Sequence, residues 1–247
     1  MMTIFTRRIL CWNDTKEICQ NGEVEKPDVS MKMKYKFNIY ENKKSVFISK
    51  RLLYDMDTID CALLFHKPLV LNLADNYFPG GYVDEGTGAQ EESLFRRTNY
   101  FQTLKKEMYP IEKDECIYSS NVSIIKRNEE DNWTRYSTIQ KLDFIACPGI
   151  KYPGTIYKNF VEYLNENDVE ILKRKIRLII QCAIKYKHDT IVFGALGCGA
   201  WKNPPHHVAQ IFKEVLDECD GLILTYVFAI LSTNNKRTID IFSKILL

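Results

Sequence analysis

Pro68-Leu69-Val70-Leu71-Asn72-Leu73 runs into Ala74-Asp75-Asn76-Tyr77-Phe78-Pro79-Gly80-Gly81-Tyr82-Val83-Asp84-Glu85-Gly86-Thr87-Gly88-Ala89 and then Gln90-Glu91-Glu92. The opening apolar run reads as a buried central strand. Glycines at 80, 81, 86 and 88 permit left-handed or crowded backbone, so a ligand can approach the main chain. Gln90, Glu91 and Glu92 then start a helix, expected over Gln90 to Met108, with Leu94, Phe101, Leu104 and Met108 on one stripe. Carboxylates there are favoured by the helix dipole, and capping alone would account for them. Behind a buried strand and a glycine-rich loop, the same pair suits glycosidic bond cleavage. One carboxyl protonates the leaving oxygen while the oxocarbenium is stabilised and water is directed.

Outward from this stretch, strands and helices alternate. Helices are expected over Thr6 to Gln20, Asp57 to Phe65, Asp168 to Tyr186, Pro204 to Leu216 and Thr238 to Leu246. Strands are expected over Lys44 to Ile48, Cys116 to Ile125, Leu142 to Cys147, Thr190 to Ala195 and Leu222 to Ile230, with a loop over residues 20 to 35. This order predicts an α/β layered fold with a mixed sheet, whose ligands sit beyond the carboxyl ends of the strands. One domain over 1–247 is expected, with residues 1–60 as an N-terminal extension packed on it.

Composition excludes several classes. With 34 Lys and Arg against 32 Asp and Glu, the net charge of +2 gives no basic surface for holding an extended polyanion. A pocket for one diphosphate is compatible with it. The eight cysteines form no Cys-x-x-Cys pair and the four histidines complete no zinc spacing, so no metal and no cofactor are expected. The longest apolar run, Leu222 to Leu231, is too short for a membrane span, and the N-terminus lacks the apolar core of a signal peptide. A soluble, cytoplasmic monomer is expected.

A second loop follows the strand at Thr190: Gly194-Ala195-Leu196-Gly197-Cys198-Gly199-Ala200-Trp201-Lys202-Asn203-Pro204-Pro205. Main-chain amides in such a turn, leading into a helix N-terminus, make an anion site. It matches neither the Walker loop nor the dinucleotide fingerprint.

Gly80-Gly81, the spacer and Gln90-Glu91-Glu92 resemble the signature of poly(ADP-ribose) glycohydrolases, a glycine triplet followed by Gln-Glu-Glu. Val70-Leu71-Asn72-Leu73-Ala74 and Arg96-Arg97 are similar to the compact bacterial-type branch, and the Gly197 loop is similar to the diphosphate loop of macrodomains. The resemblance implies a macrodomain-like α/β/α sandwich. It also implies a hydrolase that releases ADP-ribose from poly(ADP-ribose) or from mono-ADP-ribosylated protein or nucleic acid. Carried over by motif position, Glu92 is the catalytic acid, Glu91 orients the adjoining ribose, Asn72 binds the distal ribose, and Gly80, Gly81 and Gln90 line the substrate. Gly197, Cys198, Gly199, Ala200 and Trp201 contact the diphosphate, mostly through backbone. Val227 and Phe228 pack against the ligand, Phe228 as a stacking ring. The third glycine of the triplet is Tyr82 here; a side chain there narrows the site, alters the loop or offers a stacking surface. The alternatives are a non-catalytic ADP-ribose reader and a hydrolase of a small NAD-derived ADP-ribose signal.

Overall fold

The computed structural model describes residues 2–36, 47–232 and 237–247. Helix α1 spans Ile4–Gln20, with Thr3 as its N-cap, and is followed by strand β1, Met31–Lys34, and strand β2, Lys50–Tyr54. Helix α2 (Thr58–Ala62), capped by Asp57, leads into strand β3, Pro68–Asn72. Helix α3 covers Gln90–Arg97, and the long strands β4 (Glu115–Lys126) and β5 (Arg135–Ala146) follow. A hairpin of β6 (Thr155–Lys158) and β7 (Val161–Leu164) precedes α4, Glu166–Lys185. The chain ends with β8 (Thr190–Phe193), α5 (Pro205–Glu218), β9 (Thr225–Ala229) and α6 (Arg237–Leu246).

Seven strands form one sheet in the order β1-β4-β5-β3-β8-β9-β2. The run from β5 through β3, β8 and β9 to β2 is parallel, whereas β1 and β4 are antiparallel, so the sheet is mixed. Strand β3 is buried at every position because helices cover both faces. Alternation along the strands divides the core. Leu69, Leu71, Ile191, Phe193 and Phe228 pack with α4, α5 and α6, whereas Val70, Val192 and Val227 pack with α1, α2 and α3. The result is the expected α/β/α sandwich.

Several expectations need correcting. The helix from Gln90 ends at Arg97, eleven residues short of Met108, because Thr98 turns to extended backbone and bridges to Ile124 of β4. Asn99 then exchanges hydrogen bonds with Ser123, and short turns replace the rest. Backbone pairing to a neighbouring strand defeats a correct apolar period. Of the strand expected at Lys44 to Ile48, residues 44–46 lie outside the described residues, and pairing with β9 starts only at Lys50. The loop expected over residues 20 to 35 contains β1. The first 60 residues are not simply an extension packed on the domain, since they supply both edge strands of the main sheet.

Candidate active site

Glu91 and Glu92 occupy the first turn of α3, where unpaired backbone amides favour carboxylates. Both are nearly enclosed, Glu91 at 3% and Glu92 at 5% exposure. The loop after β3 folds back over them. Glu91 Oε1 accepts from Asn72 Nδ2 at 3.1 Å and from the Gly80 amide at 3.2 Å, and Oε2 accepts from the Asp75 amide at 2.7 Å. Glu92 Oε1 accepts from the Tyr82 amide at 3.1 Å. Its Oε2 accepts nothing among the described residues.

The two glycines are needed for this wrapping. Both have positive φ, +81° at Gly80 and +55° at Gly81. A methyl group on Gly80 would stand 2.4 Å from the Phe95 ring, and one on Gly81 would stand 2.6 Å from Glu92 Oε1. Tyr82 needs no such freedom: its φ is −109° and its side chain points outward, 48% exposed. The aromatic side chain therefore leaves the loop geometry intact. It continues a chain of exposed rings, with Phe78 6.4 Å from Tyr82 and Tyr77 6.5 Å from Phe78.

Burial raises the Glu91 carboxyl to about 8. The hydrogen bonds from Asp75, Asn72 and Gly80 oppose that rise, and the neighbouring Glu92 carboxyl adds to it. Burial thus favours the neutral form of Glu91. Asn72 Oδ1, buried behind it, meets no donor; a 180° turn of that amide would let Oδ1 accept the Glu91 proton.

Some expected contacts take other roles. Asn72, expected to bind the distal ribose, is fully buried, and its Nδ2 donates to Glu91, so here it positions a carboxyl. Gln90 is turned away from the cleft: its Oε1 accepts from the Leu73 amide at 2.8 Å and its Nε2 donates to Leu71 O at 2.7 Å. The side chain finishes the end of β3. Phe228 is 1% exposed and sits in the core against Phe193, Phe212 and Phe242, so it offers no face to a ligand. Val227, fully buried, faces the opposite side of the sheet. Strand alternation puts both rows inside because both faces of the sheet are covered.

The second loop forms a tight turn. Gly197 has φ +76°, and a methyl group there would stand 2.7 Å from the Asn203 side chain. Asn203 Nδ2 donates to Ile150 O at 2.6 Å and to Gly197 O at 3.1 Å, which holds the turn against the chain after β5. Among the described residues, the amides of Gly199, Ala200 and Trp201 donate to no carbonyl, and Gly199 opens onto free space. These are donors available to an anion. Burial pushes the Cys198 thiol up, which leaves it protonated and inert.

Tertiary structure brings in groups with no local signal. Lys151, beyond β5, stands 3.8 Å from Asp75 and 6.0 Å from the Trp201 ring, bridging the two loops. Asp75 fixes the start of the first loop, its Oδ1 accepting from the amides of Tyr77 and Phe78 at 2.7 and 3.1 Å. That Asx turn was legible in Asp75-Asn76-Tyr77. From outside, α1 clamps the loop: Trp12 Nε1 donates to Asp84 Oδ1 at 2.7 Å, and the Arg8 guanidinium lies against Gly88. Arg97, fully buried, ties α3 to Asp57 and Asp60 at the start of α2.

The site thus joins a glycine-wrapped pair of acids and a glycine turn with free amides, linked through Lys151. Residues 13–127 match the family model of the microbial-type PARG catalytic domain. The fold is that of the bacterial poly(ADP-ribose) glycohydrolases. The poly(ADP-ribose) glycohydrolase of Thermomonospora curvata superposes with a TM-score of 0.79 at 18% identity, over 96% of this chain and 98% of that one. Its complex with the inhibitor ADP-HPD gives 0.80 at 20% identity, with the same coverage of both chains. The poly(ADP-ribose) glycohydrolase of Deinococcus radiodurans in complex with ADP-ribose gives 0.70 at 23% identity, over 82% of this chain and 86% of that one. No curated protein matches the sequence. Among the described residues, no helix is long and apolar enough to cross a membrane, and no cluster of His, Cys, Asp or Glu is placed to hold a metal.

Proposed function

We propose that this protein is an ADP-ribosyl glycohydrolase that cleaves the ribose glycosidic bond of poly(ADP-ribose) or of mono-ADP-ribosylated targets. Glu92 is its general acid. The observation that carries the reading is the unequal state of the two carboxyls. Glu91 is locked by three donors in a nearly enclosed place, whereas Glu92 has one oxygen anchored on the Tyr82 amide and the other without a donor among the described residues. The match to the microbial-type catalytic domain supports it, as does the ADP-ribose held by the Deinococcus radiodurans relative.

In this mechanism the diphosphate lies on the amides of Gly199, Ala200 and Trp201, with Lys151 beside it as a counter-charge. Glu92 Oε2 gives its proton to the leaving oxygen as the bond from that oxygen to ribose C1 breaks. The leaving group departs as an alcohol, and positive charge develops on the sugar ring. Water then adds to C1 and passes a proton back to the Glu92 carboxylate, which restores the acid. Glu91, hydrogen-bonded and favoured by burial in its neutral form, holds the loop in place and keeps a second full negative charge away from the carboxylate that Glu92 becomes once its proton has left.

The test is release of free ADP-ribose from poly(ADP-ribose). A positioned acid contributes about 10²- to 10⁴-fold, so Glu92→Ala is expected to abolish turnover on that scale, and Glu92→Asp to retain a reduced rate. Tight binding of ADP-ribose with no turnover in the unaltered protein would refute the proposal and leave a reader.

A further inference from the structure

Two adjacent arginines at the end of α3 are both buried, and only one of them is neutralised. Arg97 bridges to the carboxylates of Asp57 and Asp60. Arg96 is 1% exposed, yet among the described residues no carboxylate reaches it within ion-pair distance. Its Nη1 donates to Thr87 O at 2.7 Å, and its enclosed Nε donates to nothing. A buried guanidinium without a counter-charge is strongly disfavoured.

Its place on the helix indicates the partner. Arg96 follows Glu92 by four residues, so the two share a face of α3, one turn apart. The other ionisable groups around that face are already engaged. Arg8 of α1 takes both oxygens of Glu129, in the turn after β4, at 2.8 and 3.0 Å. Lys126 of β4 is held by Asp14 at 2.7 Å, and burial keeps the Cys11 thiol protonated. Asp84 and Glu85 of the loop are exposed, and Asp84 is held by Trp12 and Lys16. Glu91 is turned to Asn72 and to the amides of Asp75 and Gly80. Glu92 is the acid left to answer Arg96. Burial lowers the Arg96 guanidinium to about 10 and Arg8 pushes the same way, while Cys11, Glu92 and Glu129 oppose, so it stays charged at neutral pH.

The same side chain supports the seat of the acid. Arg96 holds Thr87 O from α3, while Arg8 approaches Gly86 O at 3.5 Å from α1. This stretch runs directly into the first turn of α3, where Glu92 stands. We propose that Arg96 is a positioning residue that acts through Glu92, its enclosed charge steadying the carboxylate that Glu92 becomes when its proton leaves. This rests on the glycohydrolase reading and adds the group that readies the acid to part with its proton. Without that charge Glu92 is a weaker acid, so the rate falls and the alkaline limb of the pH profile moves up.

The experiment follows ADP-ribose release from poly(ADP-ribose) across pH in the unaltered protein and three variants. Arg96→Met and Arg96→Gln, both neutral, should lower kcat about ten-fold and move the alkaline limb of kcat/KM up by about one pH unit. Arg96→Lys keeps the charge and loses the planar fork, so kcat should fall with the limb in place. Lower rates with every limb unmoved would mean a merely structural role and overturn the proposal, as would a limb that moves equally in all three. A second measurement needs no change at Arg96. In nitrogen NMR of the unaltered protein, the Arg96 Nε resonance should move with pH, and in Glu92→Gln it should stay flat. A flat resonance in the unaltered protein, or movement that persists in Glu92→Gln, would overturn the proposal even if no Arg96 variant folds. An unaltered protein that binds ADP-ribose without turnover sinks the glycohydrolase reading; turnover with unmoved limbs sinks the role of Arg96 alone.

Discussion

Replacing Glu91 by Gln removes one ionisable group from the most enclosed point of the site, and its consequence for stability can be worked out. The unfolded chain titrates a glutamate near ~4.3, whereas burial holds Glu91 at about 8 in the folded protein. Between these values the folded state keeps a proton that the unfolded state has lost. Stability is therefore full below about pH 4 and falls as pH rises, at about 1.4 kcal/mol per pH unit, until the folded group also ionises near pH 8. From pH 5 to pH 8 the loss assigned to this carboxyl is on the order of 3–4 kcal/mol. Glu91→Gln lacks that slope. It has its own cost, independent of pH over that range, because its amide group brings two N–H donors where the protonated carboxyl has one, against the amides of Asp75 and Gly80. That cost is about 1–3 kcal/mol. Urea unfolding of both proteins from pH 5 to 9 gives the difference directly, and other titrating groups cancel in it. The variant should be the less stable at pH 5 and should gain on the parent steadily to pH 8. Parallel stability curves over that range would refute the claim that Glu91 is buried as the acid.

Three further perturbations probe the site's supports. Gly81→Ala forces a methyl group to within 2.6 Å of Glu92 Oε1 at a φ of +55°; about 1–2 kcal/mol of stability should be lost, and ADP-ribose release should fall well beyond that fraction, as a turnover assay on folded protein would show. Gly197→Ala meets Asn203 at 2.7 Å at a φ of +76°, so calorimetry should find weaker ADP-ribose binding while the acid machinery stays in place. Trp12→Phe removes the 2.7 Å bond to Asp84 that holds the loop from α1. A loss of about 1 kcal/mol should lower Tm by roughly 2–4 °C in a thermal melt, and an unchanged kcat would show that α1 does not position the loop.

Tyr82 shows how far a motif alone could go. Its departure from a glycine triplet raised a question of backbone geometry that the sequence could not answer. The observed φ of −109° answers it, since only Gly80 and Gly81 bear the left-handed strain. Gln90 and Asn72 show the converse. Each stands in the right motif, but a side chain's target depends on which backbone ends lie nearby, and here those are the end of β3 and the Glu91 carboxyl. Phe228, expected from the resemblance to stack on the ligand, lies in the core instead, because a strand covered on both faces buries both of its rows.

What the sequence determined by itself is whatever rests on local chemistry. The apolar run into β3, the glycines that permit a folded-back loop, the acids at a helix start and the glycine turn before Pro204 and Pro205 each carry their reason within a few residues. They were sufficient for the α/β layering and for locating the acid pair. The tertiary structure alone raises the Glu91 carboxyl, because that rise depends on enclosure by distant chain. It alone decided the place of Lys151, which lies far from the acidic triplet in sequence and meets Asp75 of the first loop because β5 pairs with β3. Charge and burial act through space, and the spacing of residues along a chain does not record them.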